Sequence, residues 1–180
     1  MVSEQLKSAQ RALSIEDVYV REATAATRPD FDPLAAAVAP PAALSVQLRV
    51  GPQTDIQFLE HVAPNGTQRR VRYIVDTGLR LLKPGIDPAK QDPSPDEILG
   101  EITAKFVVRY LITTDDNPTP EMLQAFADNA VHHMWPYWRE FLQATSTRLR
   151  LPSIVLPMRV VQSAPTPTEV APSEPSKAQP

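Results

Sequence analysis

The chain has 180 residues, 20 of them proline, and 42% of its residues are apolar. Proline fixes φ and removes a donor, so much of the length is turn, linker or strand edge, and the apolar content suffices for one domain of about 140–150 residues. Eighteen basic against 21 acidic residues give a formal charge of −3, without the basic surplus of general nucleic-acid binders; the absence of cysteine excludes disulfides, thiolate ligands and cysteine nucleophiles.

Residues 1–14 mix polar and charged side chains, without the basic start and apolar run of a secretory signal. No stretch reaches the ~20 apolar residues of a bilayer span. A cytoplasmic protein without direct membrane insertion is therefore expected. Ile15 to Val20 reads as a first strand with imperfect alternation. Thr27 to Pro41 follows as a loop that carries apolar groups, Phe31, Leu34 and an alanine run, between prolines. Leu44 to Val50 alternates cleanly, with four apolar side chains on one face. After Gly51 and Pro52, Ile56 to Val62 resumes the strand.

Pro64-Asn65-Gly66-Thr67 supplies hairpin turn chemistry, and Gln68 to Leu82 is a long strand whose other face carries Arg70, Arg72 and Arg80. With Arg69 these form a basic cluster, read as solvated sheet-edge charges or as a surface for an acidic partner. Lys83 to Glu97, with four prolines, is a surface connection, and Ile98 to Thr114 is the last long strand. Thr119-Pro120-Glu121 then offers a hydroxyl cap, a first-turn proline and an acid near the positive end of the helix dipole. An apolar stripe from Leu123 to Thr145 defines a helix running to about Leu149, with Pro136 inside it as a source of a kink. Leu151 to Pro157 reads as an extended return stretch. Residues 1–161 make one domain, and 162–180, with five prolines, read as a disordered tail. The whole is an α+β arrangement: an antiparallel sheet of about four strands and one long kinked helix.

Catalytic chemistry finds little support. His132 and His133 are adjacent, about 100° apart on a helix, and cannot chelate one metal as an i, i+4 pair can. Asp115-Asp116-Asn117 begins like a calcium loop, but Pro120 and Phe126 stand where its glycine and closing glutamate belong. No glycine-rich phosphate loop or nucleophile elbow occurs. Neither an enzyme nor a metal or cofactor is expected.

The helix carries Phe126-Ala127-x-Asn129 and Trp135-Pro136-Tyr137-x-Arg139-Glu140, followed by Leu151-Pro152 and Leu156-Pro157. In order and spacing these pieces resemble the SecB export-chaperone family, and the upstream strands are compatible from about Ile15. The resemblance implies a SecB-like four-stranded antiparallel sheet with a helical layer, assembled as a homotetramer (a dimer of dimers). It implies an ATP-independent holdase that takes unfolded client proteins into apolar grooves. Phe31 and Leu34 of the loop, with Leu44, Val46 and Leu48 of the next strand, are the groove candidates; each could equally be core. Asn129, Trp135, Tyr137, Trp138, Arg139 and Glu140 are expected to pack the helix on its sheet or on neighbouring subunits. Family members dock the export motor SecA through two acids after the strand tyrosine; Glu22 fills the first position, but Ala26 stands at the second. A chaperone dedicated to one partner, such as an antitoxin, is the alternative.

Overall fold

The computed structural model describes residues 3–33, 44–51, 55–64, 66–152 and 154–157. Leu34 and the proline-rich segment 162–180, both singled out in the sequence, lie outside the described residues. The elements are helix α1 (Glu4–Ala12), strands β1 (Leu13–Thr27), β2 (Ser45–Val50), β3 (Asp55–Ala63), β4 (Gly66–Leu82) and β5 (Ile98–Ile112), and helix α2 (Pro120–Arg148).

All pairings are antiparallel, in the order β1-β5-β4-β2, with β3 also on β4. Ser45 to Val50 lie opposite Leu82 to Thr77, and Asp55 to Ala63 lie opposite Ile74 to Gly66. β2 and β3 therefore follow each other along one edge of β4, and five strand segments occupy four ranks. Gly51 marks the interruption: its N–H donates to Asp76 O at 2.6 Å, and a Cβ there would sit 3.2 Å from that same oxygen. At the β3–β4 turn, where Ala63 faces Gly66, Gly66 has φ +117°, a conformation that costs glycine little.

The two faces of the sheet differ sharply. Val71, Tyr73, Val75, Leu79 and Leu81 of β4 and Ile102, Ala104, Phe106, Val108 and Tyr110 of β5 are buried on one face, as the period-two pattern requires. α2 covers this face over β1, β5 and β4. Its Leu123, Phe126, Ala130, Met134, Trp138 and Leu142 recur at three- and four-residue spacing and are all buried. Trp138 meets Phe106 edge-on with ring centroids 6.2 Å apart, and Phe126 meets Tyr110 edge-on at 5.1 Å, geometries favoured by the ring quadrupoles.

The helix is capped as its sequence predicts: the Thr119 side chain accepts from Met122 N–H, Pro120 opens the first turn, and the Glu121 carboxyl is lowered by hydrogen bonding to its own backbone N–H and to Thr119. α2 continues through Pro136, whose missing N–H leaves the His132 carbonyl without its usual donor; Pro136 is on the exposed side. Past the end of the helix, Arg150 holds φ +53°. Leu151 N–H bonds Ser146 O at 2.9 Å and Arg150 N–H bonds Thr147 O at 3.1 Å, the paired bonds of a Schellman ending. The return stretch then buries Leu151, Ile154 and Leu156, and Pro157 O accepts from Trp135 Nε1 at 2.9 Å.

Three sequence expectations change. β4 is an interior strand, so Arg70, Arg72 and Arg80 are not edge charges. They stand in a cross-strand lattice on the outer face, Arg70 to Glu16 at 2.8 Å, Arg72 to Gln57 at 2.7 Å and Arg80 to Glu101 at 2.5 Å. β1 runs seven residues past Val20. Register shifts between Ile15 and Asp17 and between Val20 and Glu22 reverse the alternation, which hides a continuous strand from a period-two reading. Helix α1 was not anticipated either. Ser3 caps it by accepting from Leu6 N–H, and Ala9 and Ala12 are buried against α2 and the start of β1; small alanines give its apolar face a weak signature.

Candidate apolar client-binding edge

On β2 the usual assignment of faces is inverted. Gln47, on the outer face, is only 8% exposed because Lys83 to Glu97 folds over it: its Nε2 donates to Pro88 O at 3.1 Å and to Lys90 O at 2.6 Å. That connection is itself pinned by Lys90 to Glu97 at 2.7 Å and by Glu97 accepting from Ser94 N–H. These contacts hold the Glu97 carboxyl below the usual carboxylate range, the Lys90 hydrogen bond being the largest cause. Val46 and Leu48, on the helix-side face, are each 39% exposed.

The cause lies in the reach of α2. The helix packs mainly over three ranks of the sheet, so among the described residues the side chains of β2 and β3 on its face have little helical cover. Register places Val46, Leu48 and Val50 opposite Leu81, Leu79 and Thr77, and Ile56, Phe58 and Val62 opposite Tyr73, Val71 and Thr67. All share the helix-side face with the core residues of β4. Val50 and Ile56 are half-buried against that core, whereas Phe58 is 48% and Val62 81% exposed. From Val46 to Val62 the row is roughly 45 Å long at the rise of an extended strand. Exposed apolar side chains gathered along one strand edge, here with Glu60 between Phe58 and Val62, mark an interaction site more than scattered ones do.

The sequence candidates divide across this geometry. Val46 and Leu48 lie on the open row. Leu44 and Phe31 are half-buried and packed against the core. Phe58 and Val62 were missed as candidates: the sequence shows an alternating strand, but how far a helix from the other end of the chain reaches is a long-range fact.

Glu22 lies on the outer face, in β1, at a cleft of about 340 Å³ with Asp76, Gly78, Thr103, Lys105 and Arg49. It is drawn to Lys105 at 3.2 Å, which also stands 4.0 Å from Asp76. Nearby, the Arg70 guanidinium, hydrogen-bonded to Glu16, and then Arg109 at 2.8 Å hold the Glu16 carboxyl below its ordinary range. The outer face is thus a balanced lattice of charge rather than an acidic patch.

On α2, Trp138 is fully buried and Trp135 is held by the return stretch. Tyr137 and Glu140 are exposed, Asn129 and Arg139 half-buried. His132 is exposed, and His133 turns inward with Nδ1 2.7 Å from Tyr110 Oη. Burial, then the neighbouring His132, lowers the His133 pKa; burial raises those of Tyr73 and Tyr110. A neutral imidazole accepting at Nδ1 from the phenol suits this interior, and it is a packing arrangement. No group of three metal-ligating side chains occurs among the described residues, nor is any helix there long and apolar enough to cross a membrane.

Comparison with solved structures finds a match over 89% of this chain and 100% of the other, with a TM-score of 0.64 and 18% identity. The matched chain is the Mycobacterium tuberculosis SecB-like chaperone Rv1957, solved in complex with a ChAD peptide from the Rv1956 HigA1 antitoxin. The fold is SecB-like. No family model and no curated protein sequence matches the chain, so the likeness resides in the arrangement of sheet and helix. The SecB-like architecture agrees with the helix signature around Trp135 and Pro136.

Proposed function

We propose that this protein is an ATP-independent holdase that binds unfolded or unassembled polypeptides along the open row of β2 and β3. The observation that carries this reading is the exposed apolar row from Val46 to Val62 on a strand edge beyond the reach of α2. A client gains about 25 cal/mol for each Å² of apolar surface it buries there. Binding the unfolded state withholds it from aggregation by mass action, with no nucleotide, metal or catalytic step. The setting that fits this role is a cytoplasmic homotetramer, with Tyr137, Asn129, Arg139 and Glu140 near subunit contacts and Trp135 and Trp138 packing within each subunit.

The test is suppression of aggregation of a chemically unfolded client, followed by light scattering without ATP. Suppression at equimolar protein is expected; none at fourfold excess would sink the reading.

A dedicated antitoxin chaperone is a second reading. It is favoured by the antitoxin peptide bound to the similar fold and by the state of the expected motor-docking positions, where Glu22 is ion-paired and Ala26 carries no charge. Tight binding of one antitoxin with poor suppression of unrelated clients would select it, whereas SecA binding through Glu22 would favour the export role.

A further inference from the structure

Where α2 ends, Gln143, Ser146, Thr147 and Arg150 line a cavity of about 350 Å³ together with Leu151 and Ile154 of the return stretch. One water takes up about 30 Å³ of liquid, so the space suits a compact organic molecule better than a single solvent molecule. None of the exposed residues of β2 and β3 lines it. Leu151 sets it over the start of β5 instead: a Cβ at Gly100 would come 3.8 Å from Leu151, and Gly100 pairs with Thr27 of β1.

Folding alone leaves two features of this cavity without a purpose. Ser146 is only 3% exposed, yet its hydroxyl has no hydrogen-bond partner among the described residues, a state that costs free energy unless something binds there. Arg150 occupies the position after the helix that glycine commonly takes, at φ +53°. Such backbone strain persists most often where the residue serves a function. The Arg150 side chain is exposed and makes no hydrogen bond or ion pair among the described residues.

The free donors select the ligand. Thr147 Oγ1 already gives its proton to Gln143 O at 2.9 Å, and the main-chain N–H groups of Arg150 and Leu151 are taken by Thr147 O and Ser146 O. The Ser146 hydroxyl, the Gln143 side-chain amide and the Arg150 guanidinium remain able to donate, and no acid is among the lining residues. A carboxylate, which only accepts, complements this set. The helix end carries about half a negative charge, which the full positive charge of Arg150 outweighs. Leu151 and Ile154, both buried, supply an apolar wall for a short branched chain.

We infer that this cavity binds a carboxylate carrying a short branched aliphatic chain, with Arg150 and Ser146 on the carboxylate and Leu151 and Ile154 against the chain. A free small acid and the C-terminal residue of a polypeptide both present this group. The site is separate from the row on β2 and β3 and stands independently of the holdase reading.

Equilibrium dialysis of the full-length protein against isocaproate, N-acetyl-leucine and the amides of both tests the site. At least one acid is expected to bind with Kd below about 1 mM, and its amide at least about tenfold more weakly. The tighter of the two acids identifies the source, free acid or chain end. Arg150→Gly should weaken acid binding at least about tenfold without lowering the melting temperature, because glycine suits this backbone conformation. An arginine with a merely structural role would leave binding unmoved. Arg150→Lys, which keeps the charge but loses the planar fork, and Ser146→Ala should each weaken binding about two- to fivefold. No acid binding below about 1 mM, equal binding of the amides, or undiminished affinity in Arg150→Gly overturns the inference.

Discussion

Central strand β5 and the β2–β3 edge of the sheet are built from similar residues that meet opposite fates. Beneath α2, Phe106, Val108 and Tyr110 of β5 are sealed. Two ranks away, Val46, Leu48 and Phe58 lie on the same face, in the same alternation, and remain between 39% and 48% exposed. Side-chain chemistry does not distinguish the two groups; the width of the helical lid does. An alternating strand thus becomes core or exposed surface according to whether a distant segment covers it.

The sharpest test of the contrast is to truncate one residue on each side. Trp138→Ala removes a fully buried ring packed on Phe106 and Phe141, and should cost about 3–5 kcal/mol in urea unfolding. A loss below about 1 kcal/mol would mean that the helix does not seal this half. On the open side, Leu48→Ser with Phe58→Ser should cost about 1–2 kcal/mol together, since each side chain retains much of its exposure, yet weaken client capture about tenfold. If melting falls as far as with Trp138→Ala, the row is core. Phe31→Asp is a poorer probe of binding, because Phe31 packs against the core and its loss mixes stability with capture.

Acid should act first on the sealed half. His133 has a lowered pKa in the folded protein, through burial and then His132, while the unfolded chain takes up its proton near the ordinary value of about 6.5. Below that value the unfolded state binds more protons, so stability present above pH ~6.5 declines as the pH falls. The phenols of Tyr110 and Tyr73, kept neutral by burial, oppose nothing in this range. The Glu16 carboxyl, lowered chiefly by Arg70, adds a loss at lower pH as it is protonated. His133→Phe should flatten the decline between pH 6.5 and the folded pKa in denaturant titrations. An unchanged slope would assign it to other groups.

What could be read without coordinates follows the range of the interactions involved. Thr119 and Pro120 at the helix start, the Gly66 turn, and the alternation of β4 and β5 are local, and each is where the residues place it. The resumption of β2 as β3 after Gly51 was also legible, because both segments keep the same apolar phase against β4. The far half of β1 was not, since two register shifts scramble its phase. Among the site residues, Val46 and Leu48 were visible as one face of a strand, whereas the exposure of Phe58 and Val62 depends on where α2 ends laterally. The arginines of β4 looked like edge charges because nothing local reveals that Glu16 and Glu101 arrive beside them.

The smallest expected effect concerns how the sealed half is closed. Arg150 holds φ +53° where the Schellman bonds from Leu151 to Ser146 and from Arg150 to Thr147 turn the chain back. A side chain with a Cβ pays roughly 1–2 kcal/mol for this conformation, which glycine largely avoids. Part of that gain is offset by the greater freedom glycine gives the unfolded chain, about 0.4–1 kcal/mol. Arg150→Gly should therefore stabilise the protein by about 0.5–1 kcal/mol, read as a modest rise in melting temperature. Because the return stretch packs Leu151, Ile154 and Leu156 into the core and not on the exposed row, client affinity should not move. A fall in affinity with this variant would instead tie the return stretch to the β2 and β3 edge, and the two halves would no longer be independent.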